Sequence, residues 1–299
     1  MSSFNKLLFV NPHRSTEIPQ QMEVDGVAVS YGTGDGEVVI DIGCLFSEQS
    51  RKFPAEKRGL VIVEPQGGRD VLAAICRGHA PQEVCGDLNK KVADYYGFAI
   101  YWWNERLSHL PQFRKFLWGF SFLSEDQFGL RDKKFGVGGV VSPRQSAAFP
   151  GYSIRHEILD RENEINIPGV IYNYRRVWKG TAHGYPIPTK SPAFDWTHHL
   201  AIENCQEDGY FSEKLLDCFL SYTVPIYYGD PTITSIFDIN GMIIVQSADE
   251  ILEVLANLTE DDYLKRMGAL DRNFQLAKQY IIPDEMLVRM VVDECQRKS

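Results

Sequence analysis

Short apolar runs bounded by turn residues alternate with helix-spaced patterns along the chain, and no other feature restricts its fold so much. Strands interleaved with helices build parallel sheets, because a parallel pair needs a crossover long enough to hold a helix. In the first half KLLFVN, EVVIDIG, RGLVIVEP and FAIYWW read as strands, with helices over residues 69–78 and 88–96. The second half repeats the pattern: FGVGGVVS, HHLAIEN, VPIYYG and GMIIVQS as strands, SIRHEILDREN and SEKLLDCFLSY as helices. Three further helical patterns, ADEILEVLANL, DYLKRMGALDRNFQLAKQY and PDEMLVRMVVDECQR, predict a helical C-terminus. YGTGDG at 31–36 reads as a hairpin or loop, and the charged, glycine-containing stretch 125–137 as a linker. The expected fold class is α/β, with one domain over 1–130 and a second over 131–299. Two such domains facing each other leave a cleft, where open parallel sheets bind their ligands.

Composition narrows the partners. Of the 299 residues, 44% are apolar and 24% charged, the balance of a globular chain. A formal net charge of −9 disfavours nucleic acid as a partner but permits a small phosphorylated ligand where a few Lys and Arg converge. The six cysteines, Cys44, Cys76, Cys85, Cys205, Cys218 and Cys295, form no C-x-x-C pair, which argues against a zinc site or disulfide framework and for a reducing compartment. The N-terminal LLFV run is too short for a signal peptide, and no later stretch approaches the ~18 apolar residues of a membrane span. A cytoplasmic protein is the expectation. Pairing with a second copy is left open.

The chemistry concentrates in residues 198–231. A buried strand delivers Glu203 and Asn204 to its carboxyl end, and a polar loop containing Gly209 follows. Ser212 then stands where a helix N-cap belongs. Free N–H groups and the macrodipole make such a terminus a natural phosphate site. Lys214, in the first turn, opposes the dipole preference, and a bound anion would account for it. The plainer alternative is a surface helix capped by Ser212 and Glu213 with Lys214 solvated.

This stretch resembles the α-1,3/1,4-fucosyltransferases of glycosyltransferase family 10. The resemblance rests on Glu203-Asn204, Tyr210 and Ser212-Glu213-Lys214, followed by Val224 to Tyr228, Gly229 and Pro231, without a gap. A weaker match upstream, FGVGGVVSPRQSAAFPGYSIRHEIL, puts Arg155 on the family's arginine; His156 replaces its usual asparagine, and Ser142-Pro143 hold the preceding loop.

The resemblance implies a GT-B fold of two Rossmann-like domains and an inverting transferase that takes fucose from GDP-fucose to a glycan hydroxyl. Arg155 and Lys214 would hold the diphosphate, and Glu213 the ribose hydroxyls. Asn204, Tyr210, Ser212 and Glu203 would shape the donor pocket, Glu203 by orienting the loop. Neither metal nor cofactor is implied, and the sequence contains no Asp-x-Asp. Glu64, closing RGLVIVEP, is the candidate general base, although Val63 and Pro65-Gln66 depart from the family's G-E-N pattern; Glu105 and Asp87 are the fallbacks. Without the membrane stem and disulfides of animal members, a bacterial or viral type is expected. A transferase using another nucleotide sugar, or a non-catalytic nucleotide-sugar-binding protein, remains the alternative.

Other residues read as packing first. His198-His199 at the strand start and Cys218 on the helix fit a core. Tyr95, Tyr96, Tyr101, Trp102 and Trp103 could stack on an acceptor sugar, and Gly67-Gly68 fit a turn.

Overall fold

The computed structural model describes residues 5–10, 21–24, 26–31, 36–42, 49–62, 98–101, 113–115, 121, 123–141, 149–173, 190–281 and 289–293. The chain divides into two compact units, Met1–Leu117 with Ile282–Ser299, and Trp118–Ile281. Both are built on sheets of mostly parallel strands, an α/β architecture.

The first unit holds seven strands: β1 (Lys6–Val10), β2 (Gln21–Val24), β3 (Val27–Tyr31), β4 (Val38–Ile42), β5 (Arg58–Ile62), β6 (Phe98–Tyr101) and β7 (Phe113–Lys115). They lie in the order β2-β3-β1-β4-β5-β6-β7, and every pairing is parallel except the β2/β3 hairpin. Gly26, with φ of +79°, supplies the left-handed residue of that hairpin turn. Adjacent residues Leu7-Leu8 and Val39-Ile40 are all fully buried. Neighbouring side chains on a strand point to opposite faces, so this sheet is covered on both, as a parallel sheet requires.

The second unit carries β8 (Lys134–Val141), β9 (Gly169–Asn173), β10 (Trp196–Ile202), β11 (Val224–Tyr228) and β12 (Ile243–Ile244), all parallel, in the order β12-β11-β10-β8-β9. Its helices are α1 (Pro150–Asp160), α2 (Glu213–Leu220), α3 (Ala248–Asn257) and α4 (Glu260–Tyr280). Strand alternation sorts the core into two layers. Ala201 and Tyr227 face a layer with Leu215, Phe219 and Leu270 from α2 and α4. Leu200, Ile202 and Ile226 face the other, with Ile158 of α1 and Ile251 of α3. Each such fully buried aliphatic or aromatic side chain contributes roughly 1.5–3 kcal/mol. No helix among the described residues is long and apolar enough to cross a membrane.

Two sequence readings need correction. The stretch 125–137 is not a linker. Leu123 and Phe128 join the core of the second unit, the Ser121 hydroxyl donates to Asp217 Oδ1 at 2.5 Å, and Gly129 N–H donates to Leu220 O at 2.8 Å. Where the sequence reading divides the chain at residue 130, the second unit therefore already begins at Trp118, and it ends at Ile281. Strands β2, β3, β7 and β9 also escaped the sequence reading. The expected helices at 69–78 and 88–96 lie outside the described residues.

Candidate functional site

The order of the second sheet creates a switch point between β8 and β10. From β8 the chain moves outward to β9, then returns to lay β10 on the other side of β8. Ligands of open parallel sheets bind beyond the carboxyl ends of the strands at such a point. Glu203 and Asn204 leave β10 there, and Glu203 N–H donates to Tyr228 O at 2.7 Å, extending the register with β11 by one bond.

Helix α1 packs directly on this strand end. Pro150 opens it, at the position where a missing N–H costs nothing. Gly151 N–H donates to Asn204 O at 2.9 Å, and a Cβ on Gly151 would fall 1.8 Å from Glu203 O. One turn on, buried Arg155 spans the same end. Its Nε donates to Ile202 O at 3.0 Å, and its Nη2 donates to Ile202 O and to Asn204 Oδ1, the latter at 3.0 Å. Its guanidinium carbon lies 4.9 Å over the Tyr152 ring. Burial pushes its pKa down, opposed by the charge of Glu203 and then by Tyr152, Tyr210 and Glu213.

Helix α2 supplies the other half. Ser212 is its N-cap, and the hydroxyl oxygen accepts from Lys214 N–H, a cap that contributes about 1 kcal/mol. Glu203, with no exposed surface, binds that cap from below: its Oε1 accepts from Ser212 N–H at 2.7 Å and the Ser212 hydroxyl lies 2.7 Å from Oε2. Lys214 Nζ sits among Ser212 Oγ at 2.9 Å, Glu213 Oε1 at 3.3 Å and Glu203 Oε2 at 3.4 Å. The Glu213 carboxylate, 10% exposed, lies between two ammonium groups, Lys214 and Lys190, whose Nζ is 3.7 Å from Glu213 Oε1. Burial alone would raise the Glu213 pKa, but the charges of Lys214 and Lys190, with hydrogen bonds from Ser212 and Lys214, pull it down to about 2. Lys190 and Lys214 keep 26% and 25% of their side chains open to solvent. Arg155, Lys190 and Lys214 thus meet Glu203 and Glu213 at a helix N-terminus, whose free N–H groups favour an anion.

Two glycines set its walls. A Cβ on Gly229 would meet Tyr227 Oη at 2.3 Å and Glu203 Cγ at 2.8 Å, so the turn after β11 presses on the glutamate. Tyr227 Oη accepts from Asp230 N–H at 2.9 Å, and Asp230 Oδ1 from Thr232 N–H at 2.7 Å. Asp230 Oδ2 is buried with no hydrogen-bond partner among the described residues. Tyr210, in the loop bent by Gly209 at φ of +75°, is buried rather than presented.

The structure thus gathers Arg155, Glu203, Asn204, Tyr210, Ser212, Glu213 and Lys214 in one place. Sequence reasoning missed Lys190 and Gly151, which no local motif marks. Glu64 follows β5 by two residues and lies outside the described residues, as do Asp87, Glu105, Tyr95, Tyr96, Trp102, Trp103, Gly67, Gly68, Ser142 and Pro143. His198 and His199 point into packing. His198 Nε2 lies 3.4 Å from Asp262 Oδ2, while the His199 ring stacks on Phe194 at 4.3 Å and donates from Nδ1 to Ala193 O at 3.2 Å. Burial lowers the pKa of both, that of His199 to about 4. Among the described residues no three His, Cys, Asp or Glu side chains are placed to hold a metal ion.

Fold and site together define an α/β protein with clustered basic and acidic side chains at a helix N-terminus, beside the switch point of a parallel sheet. No family model matches the chain. Over 83 residues it is 30% identical to the alpha-(1,3)-fucosyltransferase FucT of Helicobacter pylori, a match covering 27% of this chain and only 16% of that protein. The crystal structure of an α1,3-fucosyltransferase with GDP-fucose superposes with a TM-score of 0.51 at 15% identity, over 94% of this chain and 91% of that one. The same enzyme class with GDP gives 0.50, also at 15% identity, over 95% and 92%. The chain shares the fold of these transferases and is related to the bacterial one in sequence over the matched stretch.

Proposed function

We propose that the chain is an inverting, metal-independent fucosyltransferase that moves fucose from GDP-fucose to a hydroxyl of a glycan. The observation that carries this reading is the cluster of basic side chains at the N-terminus of α2, where Lys214 and Glu213 stand beside Arg155 and Asn204. Its support from outside is the relationship to a bacterial α-1,3-fucosyltransferase and the fold shared with enzymes crystallised with GDP and GDP-fucose.

In this reading the N–H groups of α2 and the Lys214 ammonium receive the diphosphate, and the Glu213 carboxylate accepts from the ribose hydroxyls. Arg155 fixes the end of β10 through Ile202 O and Asn204 Oδ1 and adds positive charge behind the phosphates. A carboxylate base, assigned to Glu64, takes the proton of the acceptor hydroxyl as its oxygen attacks the anomeric carbon. The bond from that carbon to the β-phosphate oxygen breaks on the opposite face, and GDP leaves with the electron pair. Cations aimed at the departing charge lower the barrier for this step.

The test is a thermal-shift series with GDP, GDP-fucose, GDP-mannose, UDP and UDP-glucose in EDTA, since a ligand that binds only the folded state raises the melting temperature. Shifts with the guanosine ligands, followed by fucose transfer in EDTA, are expected. A shift with uridine ligands alone would retire GDP-fucose. Binding without turnover on any glycan acceptor would leave a nucleotide-sugar-binding protein, and a strict magnesium requirement would end the metal-free mechanism.

A further inference from the structure

Lys214 is not idle before a ligand arrives. Its ammonium is divided among Ser212 Oγ, Glu213 Oε1 and Glu203 Oε2, all within 3.4 Å. A diphosphate at the α2 terminus must draw it from those partners. Glu203 tolerates the withdrawal, because Ser212 still donates to it from both its backbone and its hydroxyl. On its own helix Glu213 keeps a hydrogen bond from Ser212 but no second cation. A buried carboxylate stripped of its counter-ion is strongly penalised.

We propose that Lys190 is a positioning residue of the donor site, the standing counter-ion of Glu213 that releases Lys214 to the diphosphate. Its Nζ lies 3.7 Å from the same Glu213 oxygen that Lys214 approaches at 3.3 Å, so that oxygen lies within ion-pair reach of both ammonium groups. It comes from a different segment, the turn opening the 3-10 helix Ser191–Phe194, so the arrival of a ligand at α2 does not itself displace it. That short helix is held against the sheet by His199, which donates to Ala193 O, and by Gly138, whose absent Cβ leaves room for the same carbonyl. The packing that fixes residues 190–194 thus places a second ammonium over the start of α2.

The inference rests on the donor reading above and is tested by a double-mutant cycle on GDP affinity, measured by calorimetry in EDTA with the unaltered chain, Lys190→Met, Glu213→Gln and the double variant. Contacting residues couple, so Lys190→Met should weaken GDP binding roughly tenfold alone and less than about twofold on Glu213→Gln. Lys190→Arg, which keeps the charge, should bind GDP within about threefold of the unaltered chain. Lys190→Gln is measured alongside, should the methionine lower the unliganded melting temperature. Equal losses in both backgrounds would make Lys190 a direct donor contact and overturn the proposal. So would an unaffected Lys190→Met, or an arginine variant as weak as the methionine one. Failure of the unaltered chain to bind GDP would sink the donor reading itself, a separate result from GDP binding with an additive cycle.

Discussion

At the carboxyl end of β10, Glu203 and Glu213 are held beside Lys190, Lys214 and Arg155, and two of those cations stay open to solvent. Within the same strand, His198 and His199 are buried among Phe194, Tyr263, Thr197 and Asp262. Both regions bury titratable groups at similar depth. One keeps its groups charged by surrounding them with opposite charge, and its glutamate pKa falls to about 2. The other keeps them neutral by desolvation, and the pKa of His199 falls to about 4. Burial alone therefore does not mark a site. Paired charges with a route to solvent do, and the histidines, which tempt in the sequence, lack that route.

The contrast can be broken most severely at its scaffold. Gly151→Ala drives a methyl into Glu203 O, a backbone atom that cannot swing aside, and should cost about 3 kcal/mol or more of stability while uncoupling Arg155 from Asn204. Chemical denaturation measures the first effect and GDP calorimetry the second; an alanine chain of full stability would mean that α1 does not rest on β10. Next in size is Lys214→Met, for which GDP affinity should drop about 100-fold with little change in melting temperature, as expected for loss of a charge-assisted contact. Unchanged affinity would show that the open, charged end is not the donor site.

The two regions should also separate by pH. His199 has a lowered folded pKa, so the unfolded chain binds the extra proton and stability rises with pH between about 4 and 6.5. The slope there is about 1.4 kcal/mol per pH unit for one proton. Glu213 also has a lowered folded pKa, so its contribution is whole above 4.5 and is lost as pH falls toward 2. Urea titrations at stepped pH should show the upper limb vanish in His199→Asn and the lower one in Glu213→Gln. An upper limb that survives in His199→Asn would assign it to another group, His198 first. The smallest effect is the sharpest discriminator: at pH 7.5, His198→Asn should leave GDP affinity within about twofold, since that ring lies against Thr197, Asp262 and Tyr263 rather than the cluster.

Legibility followed sequence distance. Ser212, Glu213 and Lys214 were readable because a cap and its first turn are a local pattern, and Glu203-Asn204 because a strand end precedes a polar loop. Arg155 depended on family resemblance, since its partners Ile202 and Asn204 lie almost fifty positions away. Lys190 sits in an unmarked T-K-S-P sequence and meets Glu213 only because residues 190–194 fold back along β10 into space that Gly138 vacates. Gly151 was unreadable for the same reason: its neighbour is the carbonyl of Glu203. In the fold, the long apolar runs of β1, β4, β8, β10 and β11 stood out, whereas β2 and β7 carry charged or amide side chains among few apolar ones, and short edge strands need no continuous apolar run.

The docking of residues 121–129 on α2 has a practical side. A fragment begun at residue 131, where charge and glycine suggest a seam, would discard Leu123 and Phe128 from the core and deprive Asp217 of the Ser121 hydroxyl. Anyone grafting this unit onto another chain should splice ahead of Trp118 and close the insert at Ile281. The graft then carries its own floor.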